Sequence, residues 1–362
     1  MKEFPPWKFP GNGMTKKFIL YYYNIFSDTE PERFGVDGPL RQRRAAGYNT
    51  KNARETACAV AKGETTMIAT RIAPCEGWEQ CLWMTNGIVE VAATLKAGIR
   101  LIHYGFPGKE NMLRVLEEKE QGEDGEQVGG HRLQTSPGRG GDLSESPIQW
   151  EETENSVRLM EQPGPGGLKK TLEVAFVPGS SEVVLKHVLI LCEGGAERCE
   201  DLTGWSVTMM EEGGLAVLPQ TRGNSIDLAP NRLVALWPGT SMADPRILWG
   251  QDHILVQQAN MRPAKLGISC EDGWAAYFNM GDLFVLRFQG QDRVGGSQYA
   301  DGGCCLEVAT GEKYTELVTL TPKVCLRAGE SLSFRESWTL YGDIPCPPMD
   351  EQKIVEALRG IL

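Results

Sequence analysis

From about residue 80 onward, apolar and β-branched residues recur in short runs, each bounded by Gly, Pro, Asn or Asp. Such runs read as strands. The segment LWMTNGIVEVAATLKAGIRLIHYGF (82–106) is broken at Asn86-Gly87 and Ala97-Gly98. Asn-Gly between apolar runs is a hairpin signal. In EVVLKHVLIL (182–191), Val183, Leu185, His187 and Leu189 share one face of a period-two pattern. The texture continues through SVRLM, KTLEVAFV, WSVTMM, LAVLPQ, RLVALWP, HILVQQ, KLGISC, WAAYFN, LFVLRF, CLEVAT, YTELVTL and SLSFRESWTLY. No helices alternate with these runs. The pattern therefore predicts an all-β fold, an antiparallel sandwich or barrel, and so many strands in one run imply two large sheets packed face to face. Only MDEQKIVEALRGIL (349–362) keeps helical spacing, with Ile354, Val355, Leu358 and Ile361 on one face and Asp350 as N-cap. ENMLRVLEEKEQGEDGEQ (110–127) begins with helical spacing and runs into an acidic loop.

Residues 1–66 show no sustained period and are expected to be a poorly ordered extension. A β domain over 67–346 and a helix over 347–362 complete the expected organisation. Charge supports the division: residues 1–66 carry 11 basic and 7 acidic side chains, although the whole chain is at −11. That net charge disfavours nucleic acid as a partner, and the basic RQRR (41–44) is read as a solvated run. FILYYYNIF (18–26) is half the length of a membrane span, and no small-residue cleavage site follows it, so neither membrane nor secretion is expected. None of the ten cysteines forms a CxxC pair. They read as free thiols of a reducing, cytoplasmic compartment, without zinc-ligand spacing, so no metal is expected.

Chemistry-bearing residues fall in a few places. In VGGHRLQTSPG (128–138), two glycines lead a turn into His131 and Arg132, which read either as donors to sugar hydroxyls or an anion, or as an idle turn. His187 reads either as a core histidine satisfied by backbone or as the acid of a sugar enzyme. Glu307 and Glu316 each sit in a strand, with Asp301 in the turn before, and read as candidate bases or as edge carboxylates. LAPNRLVALWPGTSMADPRILWGQDH (228–253) puts Trp237 and Arg246 among turn residues, a composition suited to stacking and bonding a sugar. There is no GxSxG and no Cys-His pair.

These segments, in this order from about residue 80 to 343, resemble the galactose-mutarotase-like β-supersandwich proteins. The resemblance is narrowest to an uncharacterised, mostly bacterial branch described as aldose-1-epimerase-like. It rests on TNGIVEVAATLKAGIRLIHYGFPGKENML, GGHRLQTSPG, WSVTMMEEGGLAVLPQ, LAPNRLVALWPGTSMADPR, KLGISCEDGWAAYFNMGDLFVLRF and YADGGCCLEVATGEKYTELVTLTP, with LRAGESLSFRESWTLY closing. It implies a carbohydrate-active domain, cofactor-free, that interconverts sugar anomers with a strand histidine as acid and a glutamate as base. Carried over by residue, it implies His187 as acid, Glu316 as base, and Arg100, His131 and Arg132 on the substrate side; Trp237, Arg246 and Glu307, read from their own segments, complete the expected substrate contacts. The implied partner is a small sugar or an oligosaccharide; no oligomeric state follows. The branch usually has a second glutamate where Val318 stands, an aromatic where Gln134 stands and a tyrosine where Gly239 stands. A non-catalytic sugar- or glycan-binding module is the alternative.

Overall fold

The computed structural model describes residues 68–116, 129–136, 146–223, 230–290 and 298–362. The expected N-terminal extension and the acidic part of 110–127 lie outside these residues. Among them are two antiparallel sheets and one short α-helix.

The first sheet begins β1 (Ala69–Cys75), β2 (Trp78–Thr85), β3 (Glu90–Thr94), β4 (Leu101–Gly105) and β5 (His131–Ser136). It continues through β10 (Arg198–Met210), β19 (Thr315–Leu320), β18 (Leu306–Thr310), β15 (Ala264–Ile268) and β12 (Val234–Leu236). β20 (Val324–Arg327) pairs with the first half of β10. The second sheet runs β13 (Ile247–Trp249), β14 (His253–Gln257), β11 (Leu215–Pro219), β16 (Trp274–Asn279) and β17 (Asp282–Phe288). It ends with β21 (Ser331–Tyr341), β9 (Val183–Leu191), β8 (Leu168–Phe176), β7 (Ser156–Met160) and β6 (Gln149–Glu152). The all-β two-sheet architecture with a short C-terminal helix is the one the sequence pattern predicts.

Turn chemistry explains the local connections. Asn86 Oδ1 accepts from the backbone N–H of Ile88 and Val89, closing the turn between β2 and β3. Helix α1 (Glu351–Leu358) starts where Asp350 accepts from the N–H of Gln352 and Lys353. Ile354 and Leu358 pack on Leu215, Val217, Leu255, Phe278 and Val285, covering the second sheet's outer face. Val355 stays exposed. The main core lies between the sheets, where Leu82, Met84, Leu101, Tyr104, Val174, Leu185, Phe284, Leu317 and Trp338 are buried.

Residues 110–116 are not helical. Leu113 bridges to Met210 and Val115 to Gly129. Asn111 Oδ1 accepts from the N–H of Tyr104 and Leu113, holding this segment extended against β4 and β10. The side chain thus outbids a helical pattern that had no cap of its own.

Candidate functional site

The glycines of GGHR are needed for close backbone packing. Gly129 and Gly130 have φ of +85° and +66°. A Cβ on Gly129 would fall 2.4 Å from the Arg114 carbonyl oxygen, and one on Gly130 2.4 Å from that of Leu101. After them the chain enters β5 directly, so His131 and Arg132 sit on a strand and not in a loop. Successive strand residues point to opposite faces. The sheet therefore separates the two side chains.

His131 faces inward. Its Nε2 is 3.0 Å from His187 Nε2, across the gap between β5 and β9, and its Nδ1 is 2.9 Å from Thr208 Oγ1. His187 stacks on Phe334, ring centres 4.8 Å apart. Burial, aided by the charge of Lys170, pushes His187 down to about 3; burial also holds His131 well below the ordinary histidine value. Both imidazoles are neutral at neutral pH. Nearby, Glu336 accepts from Ser206 and from Thr319. The space beside the two histidines is about the size of one water molecule. This cluster ties sheet to sheet.

Arg132 faces outward. Its Nη2 is 3.3 Å from Glu316 Oε1. Its Nε and Nη1 are buried with no hydrogen-bond partner among the described residues. In register, Arg132 stands opposite Val207, Val207 opposite Val318, and Val318 opposite Glu307. Glu316 lies on this same face, diagonal to Glu307. Diagonal neighbours on antiparallel strands are about 7–8 Å apart, the scale of a hexose ring.

Glu307 is fully buried, and its Oε2 is 2.6 Å from Lys265 Nζ. Burial raises its carboxyl to about 7, Lys265 opposing the shift and the neighbouring Asp301 adding to it. Asp301 accepts a 3.4 Å hydrogen bond from Trp205 Nε1. Lys265 Nζ lies 4.4 Å from the ring centre of half-buried Trp237. Tyr314 has its hydroxyl raised by burial, then by the charge of Glu316. The outer face thus combines an aromatic plate, two cations and the carboxylates of Glu316, Asp301 and Glu307, of which Glu307 is raised by burial to about 7.

Among solved structures, the chain resembles galactose mutarotase-like proteins from Lactobacillus casei and Clostridium acetobutylicum. The first is 8% identical with a TM-score of 0.47, covering 75% of this chain and 100% of that one. The second is 10% identical with a TM-score of 0.47, covering 76% and 99%. A TPR-domain containing protein from Parabacteroides distasonis is 12% identical with a TM-score of 0.49 over 74% of this chain. The chain spans 48% of that protein's length. The likeness is one of fold. No family profile and no curated protein matches the sequence.

The structure brings Arg132, Glu316, Glu307 and Trp237 to one face and separates the other expected residues from it. His187 does not meet Glu316, because it lies between the sheets and Glu316 lies on the far side of β19. His131 lies on the same inner side, with both its ring nitrogens engaged inside the core. Arg246 is held by other groups. Its Nε and Nη2 grip Asp244 at 3.0 and 2.8 Å, and Nη2 also donates to the Arg262 carbonyl. Arg100 is buried and donates from Nη1 to the Gly129 carbonyl, supporting the GGHR turn. Lys265, Trp205 and Tyr314 were not anticipated. The alternation of Lys265 with Gly267 in AKLGI was the available signal, since both leave the strand on Glu307's side.

Proposed function

We propose that the outer face of the first sheet binds a small sugar and interconverts its anomers by proton transfer. The observation that carries this reading is the cofacial set Arg132, Glu316 and Glu307, with two buried Arg132 N–H groups still unmatched. Unmatched buried donors favour a ligand that supplies acceptors, which sugar hydroxyls do. Trp237 offers an apolar plate for the ring face.

In this reading Glu316, oriented by Arg132, takes the proton from the anomeric hydroxyl. Lys265 Nζ gives a proton to the ring oxygen and regains it from Glu307, its buried partner. The C1–O5 bond breaks as the C1 carbonyl forms. Rotation about C1–C2 and closure on the other carbonyl face, with both protons returned, complete the exchange. Positioned acids and bases each contribute on the order of 10²–10⁴ in rate.

Exchange NMR on glucose and galactose tests the proposal. Wild type should speed anomer exchange above buffer, and Glu316→Gln and Lys265→Met should each remove most of the acceleration while the circular dichroism stays unchanged. Undiminished acceleration in both variants would remove the mechanism. A second reading, a binding module without turnover, is favoured by Val318, which puts an apolar side chain at the centre of the row. It predicts sugar affinity by calorimetry with no acceleration.

A further inference from the structure

At the β1 edge of the first sheet a different set of side chains converges. Cys75 ends β1, Glu76 and Gly77 form a two-residue turn with φ of +47° and +82°, and Trp78 opens β2. His103 comes from β4, two strands away. One ligand atom each from Cys75, Glu76 and His103 lies within 4.8 Å of the others. Cys81 Sγ lies beside this turn and donates to the carbonyl oxygens of Cys75 and Trp78, each at 3.9 Å.

His103 supplies the deciding detail. The residue is only 9% exposed, and its Nε2 is buried without a hydrogen-bond partner among the described residues. Its ring packs against Trp83 at 4.9 Å between centres, which fixes its direction. Asn111 Nδ2 donates to Glu76 Oε1 at 3.3 Å, orienting the carboxylate as a supporting group does beside a metal ligand. The set His131, His187 and Glu336 also has atoms within mutual reach. There, however, both His131 nitrogens and both Glu336 oxygens already have partners. In the Cys75 cluster, by contrast, His103 Nε2 has no partner among the described residues.

We propose that Cys75, Glu76 and His103, with Cys81 completing the shell, bind a divalent cation of the zinc class. Tetrahedral zinc has bonds of about 2.3 Å to sulfur and about 2.0–2.1 Å to nitrogen, which sets ligand atoms roughly 3.5 Å apart. The atoms of Cys75, Glu76 and His103, within 4.8 Å of one another, draw together to that spacing on binding, and Cys81 turns in from beside Cys75. Each thiol releases its proton to solvent as its sulfur bonds the cation. The spacing rule for zinc motifs misses the set because sheet pairing, rather than a short loop, delivers His103. Glu76 is exposed and gives the ion its entry.

Cobalt titration of the reduced, chelator-stripped full-length protein tests this. One equivalent should give a thiolate-to-cobalt charge-transfer band and the intense visible bands of four-coordinate cobalt, both bleached by zinc. Cys75→Ser and His103→Ala should each weaken binding about tenfold or more, while Cys325→Ser, at an exposed thiol on β20, should not. Absent charge transfer, or bands indifferent to both variants, overturns the site. A wild-type measurement covers the case in which a variant fails to fold. Zinc should protect Cys75 and Cys81 from alkylation but not Cys325. Equal labelling with and without zinc, or a Cys75–Cys81 disulfide that forms equally fast in its presence, also overturns it.

Discussion

Gly267 shows how one missing side chain permits a buried acid. It stands opposite Glu307 in the register of β15 and β18. A Cβ there would lie 2.9 Å from Cys304 Sγ and 3.2 Å from Glu307 Cγ. Gly267→Ala must therefore push either the thiol or the carboxylate aside. Overpacking of this kind costs about 1–3 kcal/mol. Thermal unfolding should show that loss, and anomer exchange should slow even though Gly267 offers no proton. An unchanged melting temperature would mean that the loop carrying Cys304 gives way freely. The same residue scale explains the fate of the GGHR motif. His131 and Arg132 look like one recognition unit in sequence, yet strand geometry sends them to opposite sides, and only Arg132 reaches the outer face.

Elements were more legible than their faces. WAAYFN and SLSFRESWTLY match β16 and β21 in full, because alternation and flanking turn residues mark both ends. The first half of β10, RCEDLTG, was missed because charges and Gly204 hide the pattern. A Cβ on Gly204 would come within 3.3 Å of the side-chain ends of both Leu133 and Phe334, so the glycine that breaks the signal also eases the packing between sheets. Period two tells which residues share a face, but not which face meets the other sheet; this is why His187 was placed with Glu316. The C-terminal helix was legible from its cap and apolar spacing, but its docking was not. Glu351 accepts from the N–H groups of Gln251, Asp252 and His253 at 2.9, 2.7 and 2.8 Å, in the turn between β13 and β14. Burial opposes its charge, yet these donors hold its carboxyl below the ordinary value. Its stabilising effect is present above the ordinary glutamate range and is lost as pH falls through the depressed value. Glu351→Ala should cost about 1.5–3 kcal/mol at neutral pH. Calorimetry at neutral and strongly acidic pH should show the variant and wild type converging in acid.

Between the sheets, ionisable groups with opposite preferences set how the whole molecule responds to pH. The two histidines are held neutral, so below the ordinary histidine value of 6.5 the unfolded chain binds more protons than the folded one. Their contribution to stability is lost as pH falls from 6.5 toward about 3. Glu336 acts in the other direction. Its complete burial outweighs the hydrogen bonds from Thr319 and Ser206 and raises its carboxyl from 4.5 to about 7. Between those values the folded protein binds the extra proton, so stability falls as pH rises through that window. A neutral glutamine cannot titrate but can still meet both hydroxyls. Relative to wild type, Glu336→Gln should gain stability across the window, by about 3 kcal/mol for a shift of this size. Denaturant unfolding at several pH values, with both proteins measured in the same buffers, reads that difference directly. Parallel curves would mean that Glu336 keeps an ordinary affinity for its proton inside the sandwich, and that something other than burial governs its charge.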